Sequence, residues 1–319
     1  MAGHSIECFA PGVGMEAEER LAEALSRAGR DVTARQRLDP ARPLPPLESG
    51  MFRWRLLPAN VKGGTVLVVQ DALPERWDLD FFRALSAVTE GVVVGMEQYD
   101  LLTRRGLATF FSGRTLEVAL EDGGLTSTTL GSPPLYQALG GSTLEGVYEE
   151  RFGDLCNTLP YRLRLGEVLA AGDWTVTPPT SDFVPEVLPT ESLLVLANVE
   201  EPAWRAAAPH LAPGGRWRAG RGPTLNAPFI ELRHPGPFDE ARVTAISDEL
   251  ACPVSALELV SAGAPFRWAE ANQGALENTG RAEAGAEFLK ALFRSVFFMG
   301  EGPGLLFGRG PGGWNEISQ

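Results

Sequence analysis

The sequence predicts an α+β or α/β protein of two domains built from βαβ units, and three observations support this fold class. Short runs rich in β-branched residues alternate with segments of helical periodicity. The same order of strands and helices occurs in both halves of the 319 residues. A segment from Gly172 to Thr190 that contains four prolines separates the halves. A chain of this length is sufficient for two domains that each bury a core.

The clearest βαβ unit lies between Gly63 and Asp100. Thr65 to Gln70 and Val92 to Met96 are runs rich in valine, and apolar residues recur at helical spacing from Leu79 to Val88. Because two strands joined by one helix run in parallel with a right-handed crossover, we expect them to lie in a parallel sheet. A nearly continuous valine run also predicts a strand that is covered on both faces.

The elements before this unit complete the first domain. Ser5 to Phe9 alternates as a strand, Glu16 to Arg27 has the apolar spacing of a helix, and Val32 to Leu38 is a second strand. Phe52 to Leu56 alternates apolar residues with arginines, which predicts an added strand with one buried and one solvated face. Without that added strand the order is strand, helix, strand, strand, helix, strand, which is the split βαβ or ferredoxin-like arrangement.

The second half of the chain repeats this order after the prolines. Its predicted strands and helices are Ser192 to Ala197, Glu201 to Leu211, Arg216 to Gly220, Phe229 to Leu232, Asp239 to Leu250 and Val254 to Val260. The predicted organisation is an N-terminal domain over residues 1–174 with a hairpin insertion, a proline-rich linker over 175–190, and a C-terminal domain over 191–319. Tandem ferredoxin-like domains are one form of this prediction, and whether the halves are a true duplication stays open.

Composition limits the classes of partner. The net charge of −13 disfavours nucleic acid and anionic membranes, because both are bound through clustered cations. The three cysteines form no CxxC pair, which favours a reducing compartment. The N-terminus lacks the features of a signal peptide, and no run of apolar residues is long enough to cross a bilayer. We therefore expect a cytoplasmic protein without a membrane partner, and no motif predicts a metal or a cofactor.

Three residues are candidates for catalysis. Asp71 and Glu97 follow the two predicted parallel strands, where open α/β sheets tend to bind ligands, and paired carboxylates serve as acid and base. His234 directly follows another predicted strand. The alternative interpretation is that the acids are turn and capping residues and that the histidine is a loop residue.

Arginines in the first domain are candidates for binding an anion or an acidic protein. If they line neighbouring strands, their charges add on one surface. The residues concerned are Arg30, Arg35, Arg37, Arg53 and Arg55. The alternative is an ordinary solvated sheet face.

The glycine-rich tail from Gly300 to Gly313 is a further candidate, with Gly308, Arg309 and Gly310 as its binding residues. Glycines let the backbone approach a ligand closely, whereas a terminal hairpin is the alternative interpretation. The segment VFFMGEGPGLLFGRGPGG resembles the glycine-rich strand and turn of homoserine dehydrogenases, and tandem ferredoxin-like domains with such a loop resemble CRISPR repeat-processing endonucleases. No dinucleotide fingerprint opens the chain, and its acidic charge disfavours RNA, so neither activity is carried over.

The function predicted from the sequence is a non-enzymatic binding or interaction protein of the cytoplasm. Its expected partner is an acidic protein or a small anion, and the oligomeric state is left open. The alternative is an enzyme that acts on a small anionic or phosphorylated substrate with Asp71, Glu97 or His234 in its site.

Overall fold

The computed structural model describes residues 4–11, 16–48, 51–58, 65–71, 79–99, 104–122, 125–128, 167–180, 188–221, 227–260, 266–282 and 314–318. The chain divides into two compact units, Met1–Glu186 and Val187–Gln319. This division falls within the predicted linker 175–190. None of the described helices, each of ten or eleven residues, has the length and apolar character that crossing a bilayer requires.

The described part of the first unit is a nine-stranded sheet with two helices. Its elements in chain order are β1 (His4–Pro11), α1 (Ala17–Arg27), β2 (Val32–Leu38), β3 (Met51–Pro58), β4 (Thr65–Asp71), α2 (Leu79–Thr89), β5 (Val92–Tyr99), β6 (Arg104–Phe111), β7 (Arg114–Asp122), β8 (Leu125–Thr128) and β9 (Ala170–Val176). The strands lie in the order β2-β9-β3-β4-β1-β5-β6-β7-β8, and all of these neighbours are antiparallel.

The core of the first unit lies between α1, α2 and one face of the sheet. Leu21 and Leu25 of α1 and Leu85 of α2 are fully buried against Phe52 and other residues of the same cluster. Gly95 is required in this layer, because a Cβ atom at that position would lie 2.4 Å from the ring of Phe82.

The second unit is a seven-stranded sheet with two described helices. Its elements are β10 (Glu191–Ala197), α3 (Glu201–Leu211), β11 (Arg216–Arg221), β12 (Pro228–Pro235), α4 (Glu240–Glu249), β13 (Val254–Leu259), β14 (Phe266–Asn272), β15 (Ala275–Ala282) and β16 (Asn315–Glu316). The order is β15-β14-β13-β10-β12-β11-β16, again antiparallel throughout. Trp204, Ile230 and Ile246 are fully buried in its core.

The two units share one arrangement of seven strands. The series β9-β3-β4-β1-β5-β6-β7 in the first unit corresponds, position by position, to β16-β11-β12-β10-β13-β14-β15 in the second. The helices also correspond. When the seven shared strands of each unit are taken in chain order, one helix follows the first strand and another follows the third.

Local details repeat as well. The hairpin turns pass through Ser112 and Gly113 in one unit and Gln273 and Gly274 in the other, all four with positive φ. Each turn glycine donates its backbone N–H to a helix serine 27 residues earlier, Gly113 to Ser86 Oγ at 2.9 Å and Gly274 to Ser247 Oγ at 3.3 Å. Both hairpins then have a bulge. The shared order and these details indicate an internal duplication, which the sequence alone left open.

The fold class predicted from the sequence is wrong. More residues lie in strands than in helices, and the described sheets are antiparallel with nine and seven strands. They are therefore not α/β sheets of βαβ units, and they are larger than the four-stranded ferredoxin-like domains that were predicted. β4 and β5 run in the same direction, as expected, but they are not neighbours in a parallel sheet, because β1 lies between them and is antiparallel to both. β3 is an interior strand between β4 and β9 and not an addition. Spacing along the chain predicts each element, but it does not identify the strand beside it.

The prediction that the valine run is covered on both faces is confirmed for β4. Val68 and Val69 are adjacent in the strand and therefore point to opposite faces of the sheet. They are 1 % and 2 % exposed. A strand deep inside a large antiparallel sheet therefore produces the same apolar pattern as a parallel strand.

Candidate functional site

The edge strand β2 presents the most exposed of the predicted arginines. It is the terminal strand of the nine-stranded sheet, and β9 is its partner. All seven of its residues are exposed or half-buried. A bulge interrupts the pairing between Val32 and Ala34, and the register is regular from Ala34 to Leu38. In the part of the chain that the structure describes, no strand pairs with the outer edge of β2.

Arg35 is positioned by an aromatic ring of the core. It lies opposite Trp174 of β9, and its guanidinium carbon is 4.8 Å from the centre of the Trp174 ring. Trp174 is 1 % exposed and stacks on Phe52 at 6.2 Å, so the ring is held in place. A guanidinium over an aromatic face is attracted by the ring quadrupole. No acidic side chain among the described residues forms an ion pair with Arg35, so its charge is open to an anion.

Arg37 is held by an acidic residue of α1. Its Nη2 atom donates a hydrogen bond to Glu18 Oε2 at 2.5 Å, while the Arg37 side chain stays 82 % exposed. The hydrogen bond and the charge of Glu18 raise the pKa of the Arg37 guanidinium above its ordinary value, so the cation persists at every working pH. Because the Arg37 end of this ion pair lies in solvent, the pair contributes little to folding, and Arg37 can exchange Glu18 for another anion.

Arg53 and Arg55 lie on the opposite face of the sheet from Arg35 and Arg37. Arg35 and Phe52 are both opposite Trp174, whereas Arg53 is opposite Asp173. Because successive residues of a strand point to opposite faces, the four arginines do not form one surface. The register of β2 and of β3 against β9 causes this, and no local pattern in the sequence indicates that register.

Arg53 is a buried structural residue, contrary to the solvated face expected for it. It is 5 % exposed and donates from Nε and Nη2 to the two carboxylate oxygens of Asp173, both at 2.7 Å. Its Nη1 atom donates to the carbonyl oxygen of Pro45 at 2.6 Å. Arg55 is half-buried, and its Nε atom has no hydrogen-bond partner in the described structure. Arg30 is 2 % exposed and donates from Nε to the Thr177 carbonyl oxygen.

The two candidate acids of the first unit share a row of the sheet. Ile6 of β1 is opposite Asp71 of β4 on one side and opposite Glu97 of β5 on the other. With strands spaced about 4.8 Å apart, their Cα atoms are roughly 10 Å apart. The antiparallel arrangement therefore does bring these two residues to one row, although they are not on neighbouring strands.

His234 lies at the end of β12 in the second unit, and each of its ring nitrogens faces a backbone carbonyl oxygen. Nε2 is 3.0 Å from the carbonyl oxygen of Pro213, and Nδ1 is 2.9 Å from that of Pro235. Carbonyl oxygens only accept, and a neutral imidazole has a single N–H, so it donates a hydrogen bond to one of these two carbonyls and not to both. Gly308, Arg309 and Gly310 lie outside the described residues.

A charged cluster in the second unit was not predicted from the sequence. Arg218 Nη2 is 2.5 Å from Glu231 Oε2, and both side chains are less than a tenth exposed. The ring of Trp314 lies within 5.4 Å of three guanidinium carbons, those of Arg216, Arg218 and Arg233. The alternation of Arg216 and Arg218 was visible in the sequence, but the distant Trp314 was not. Arg218, Glu231 and Arg233 are buried and support the sheet, whereas Arg216 and Trp314 are half-buried.

The described residues contain no group of three His, Cys, Asp or Glu side chains that is placed to hold a metal ion. The exposed arginines of β2 are therefore the best-defined candidate site in this part of the chain. Comparison of the sequence and the structure with protein-family models, curated proteins and solved structures gives no match.

Proposed function

We propose that this protein is a non-enzymatic binding protein that takes an extended acidic segment of another protein along the outer edge of β2. The observation that carries the proposal is an edge strand with no described strand beside it, on which Arg35 has an aromatic partner and no acidic partner among the described residues. An acidic segment in an extended conformation satisfies both features at once, the backbone groups of the edge and the charge of the arginine.

The backbone supplies affinity that does not depend on sequence. An edge strand presents unpaired N–H and C=O groups, and an added strand forms hydrogen bonds with them. The regular part of β2, from Ala34 to Leu38, is the stretch available for this pairing, because the bulge distorts the strand before it.

The arginines supply selectivity. Arg35 and Arg37 are two residues apart and therefore lie on the same face of β2, about 7 Å apart along the strand. Side chains opposite each other on neighbouring strands attract when their charges are opposite. The preferred partner accordingly has acidic residues at alternate positions, one opposite each arginine.

The alternative of an enzyme for a small anionic or phosphorylated substrate has weaker support. Asp71 and Glu97 share a row, but two carboxylates repel an anionic substrate unless a cation lies between them. The cytoplasm is the compartment proposed for the binding function, and the buried free thiol of Cys252 is in keeping with a reducing environment.

A defined peptide tests the proposal. The probe is a fluorescein-labelled peptide in which glutamate alternates with valine, long enough to form one strand, and its binding to the full-length protein is followed by fluorescence anisotropy. We expect binding at about 0.05 M salt that weakens at about 0.5 M salt, because the charges involved are exposed. A peptide with lysine in place of glutamate is expected not to bind. Competition by inorganic phosphate distinguishes a general anion site from a site for acidic strands.

Two charge-reversal variants localise the binding. Arg35→Glu is expected to weaken binding of the acidic peptide by about tenfold or more. The matched control is Arg205→Glu in the second unit, which reverses the charge of an exposed arginine in an exposed ion pair with Glu201. Equal affinity of the wild type and Arg35→Glu would contradict the proposal, as would equal losses in the two variants.

A further inference from the structure

The second unit also has an open edge, at β15. This strand is the terminal strand of its sheet and pairs with β14, and its residues from Ala275 to Arg281 are exposed or half-buried. Leu276 is 40 % exposed, which makes it one of two exposed large apolar residues in the described structure. No other described strand lies along the outer edge of β15.

The internal duplication indicates that a further strand fits at this edge. β7 is the strand of the first unit that corresponds to β15, and β8 pairs along its outer edge from Ala119↔Thr128 to Asp122↔Leu125. Both β7 and β15 follow a two-residue turn and contain a bulge near their start. The bulge does not prevent β8 from pairing with β7. The edge of β15 has the same geometry without a described strand beside it.

The sequence of β15 is complementary to itself. When two copies pair in antiparallel orientation about a two-fold axis at Thr279, Glu277 of each copy is opposite Arg281 of the other, and the two threonines face each other. Opposite charges and paired threonines are favourable cross-strand neighbours. Such a contact is isologous, because the same surface is used on both copies.

Within the described part of the chain, the charges of β15 have no such partner. Neither Glu277 nor Arg281 forms an ion pair with a described residue. The β14 residue opposite Arg281 is Arg267, which carries the same charge and is already paired with Glu240 and Glu258. The bulge leaves Glu277 without an opposite residue on β14. A second copy offers each of these two side chains an opposite charge.

We propose that two copies of this chain associate through the outer edges of β15, antiparallel about a two-fold axis at Thr279. The occupant of the edge is thus a second copy of the same chain. The proposal does not depend on the function of β2, which belongs to the other unit.

A charge exchange tests the register directly. The oligomeric state of the full chain is measured by sedimentation velocity from about 1 to about 100 μM, a range suited to small interfaces. We expect the wild type to dimerise in this range. Arg281→Glu places glutamates opposite each other and Glu277→Arg places arginines opposite each other, so each variant is expected to raise the dimer dissociation constant at least about tenfold.

Two further experiments are expected to restore the contact between opposite charges. The double variant Glu277→Arg with Arg281→Glu is expected to dimerise again. An equimolar mixture of the two single variants is expected to form a heterodimer, although each variant alone dimerises at least about tenfold more weakly than the wild type. A wild type that stays monomeric throughout the range, or a dimer that neither single variant weakens, would overturn the proposal. Both positions are exposed, and circular dichroism of each variant verifies that the fold is retained.

Discussion

The buried ion pair between Arg53 and Asp173 allows a quantitative test of the first unit. The two residues are 120 positions apart in the chain and join β3 to β9 through two hydrogen bonds of 2.7 Å. Both side chains are 6 % exposed. The perturbation is a double-mutant cycle in which Arg53→Met and Asp173→Leu are made separately and together, because these replacements remove the charges and leave apolar side chains of similar shape.

The expected energies follow from the burial of the pair. Removing one partner leaves a charge buried without compensation, so Arg53→Met and Asp173→Leu each lower the free energy of unfolding by about 3–5 kcal/mol. Replacing both residues by apolar ones removes the pair and its desolvation cost together. The double variant then loses chiefly the hydrogen bond to the exposed Pro45 carbonyl, about 1 kcal/mol. The coupling energy of the cycle is therefore at least about 4 kcal/mol.

Urea unfolding measures these differences. With a denaturant slope of about 2 kcal/mol per M, each single variant shifts the midpoint by roughly 2 M, and the double variant by well under 1 M. Hydrogen exchange in β3 and β9 assigns the transition to the first unit. The exposed pair of Arg205 and Glu201 is the matched control, because its distance is also 2.7 Å. Removing that pair is expected to cost less than about 1 kcal/mol.

The outcome that refutes this reasoning is additivity. If the double variant is destabilised by the sum of the two single effects, Arg53 and Asp173 do not compensate each other in a buried site. The register of β3 against β9 would then be incorrect, and with it the separation of the four arginines onto two faces.

Three further predictions concern the core and the duplicated hairpins. Gly95→Ala is expected to cost about 1–3 kcal/mol by overpacking against Phe82, and combining it with Phe82→Leu is expected to cost less than the sum in a thermal unfolding cycle. Burial raises the pKa of Cys252 from 9.0 to about 12, so the contribution of its thiol to the free energy of unfolding is complete below pH 9 and falls by about 1.4 kcal/mol per pH unit between pH 9 and pH 12. In urea unfolding, Cys252→Ala is expected to lack this pH dependence, and the same dependence in both proteins would contradict the burial. Ser86→Ala and Ser247→Ala are each expected to lower the free energy of unfolding by about 1–3 kcal/mol, because each removes the acceptor of a turn glycine N–H. Destabilisation of only one of the two variants would contradict the equivalence of the two hairpins.

Most individual elements could be predicted from the sequence. The predicted helix Glu201 to Leu211 coincides with α3, and the valine runs coincide with the greater part of β4 and β5. These predictions succeed because the spacing of apolar residues along an element reflects which of its positions are buried. The same local information located the exposed arginines of β2 as candidate binding residues.

The neighbours of each element were decided by tertiary structure. β9 pairs with β2 and β3 across more than a hundred residues, and the register of these pairings places Arg35 and Arg37 on the opposite face from Arg53 and Arg55. The pairing of β3 with β9 also places Arg53 beside the buried carboxylate of Asp173. No motif near Arg53 in the sequence indicates this contact.

The sequence by itself determined where strands and helices occur, which of their positions are apolar, and that the chain has two halves of similar order. Tertiary structure alone decided that the sheets are antiparallel, that the halves share seven strands in one spatial order, and which edges stay open. The physical reason is that burial leaves a periodic pattern in neighbouring residues, whereas strand pairing is made by backbone groups that are the same in every residue. The sequence of a strand therefore contains little information about which strand pairs with it.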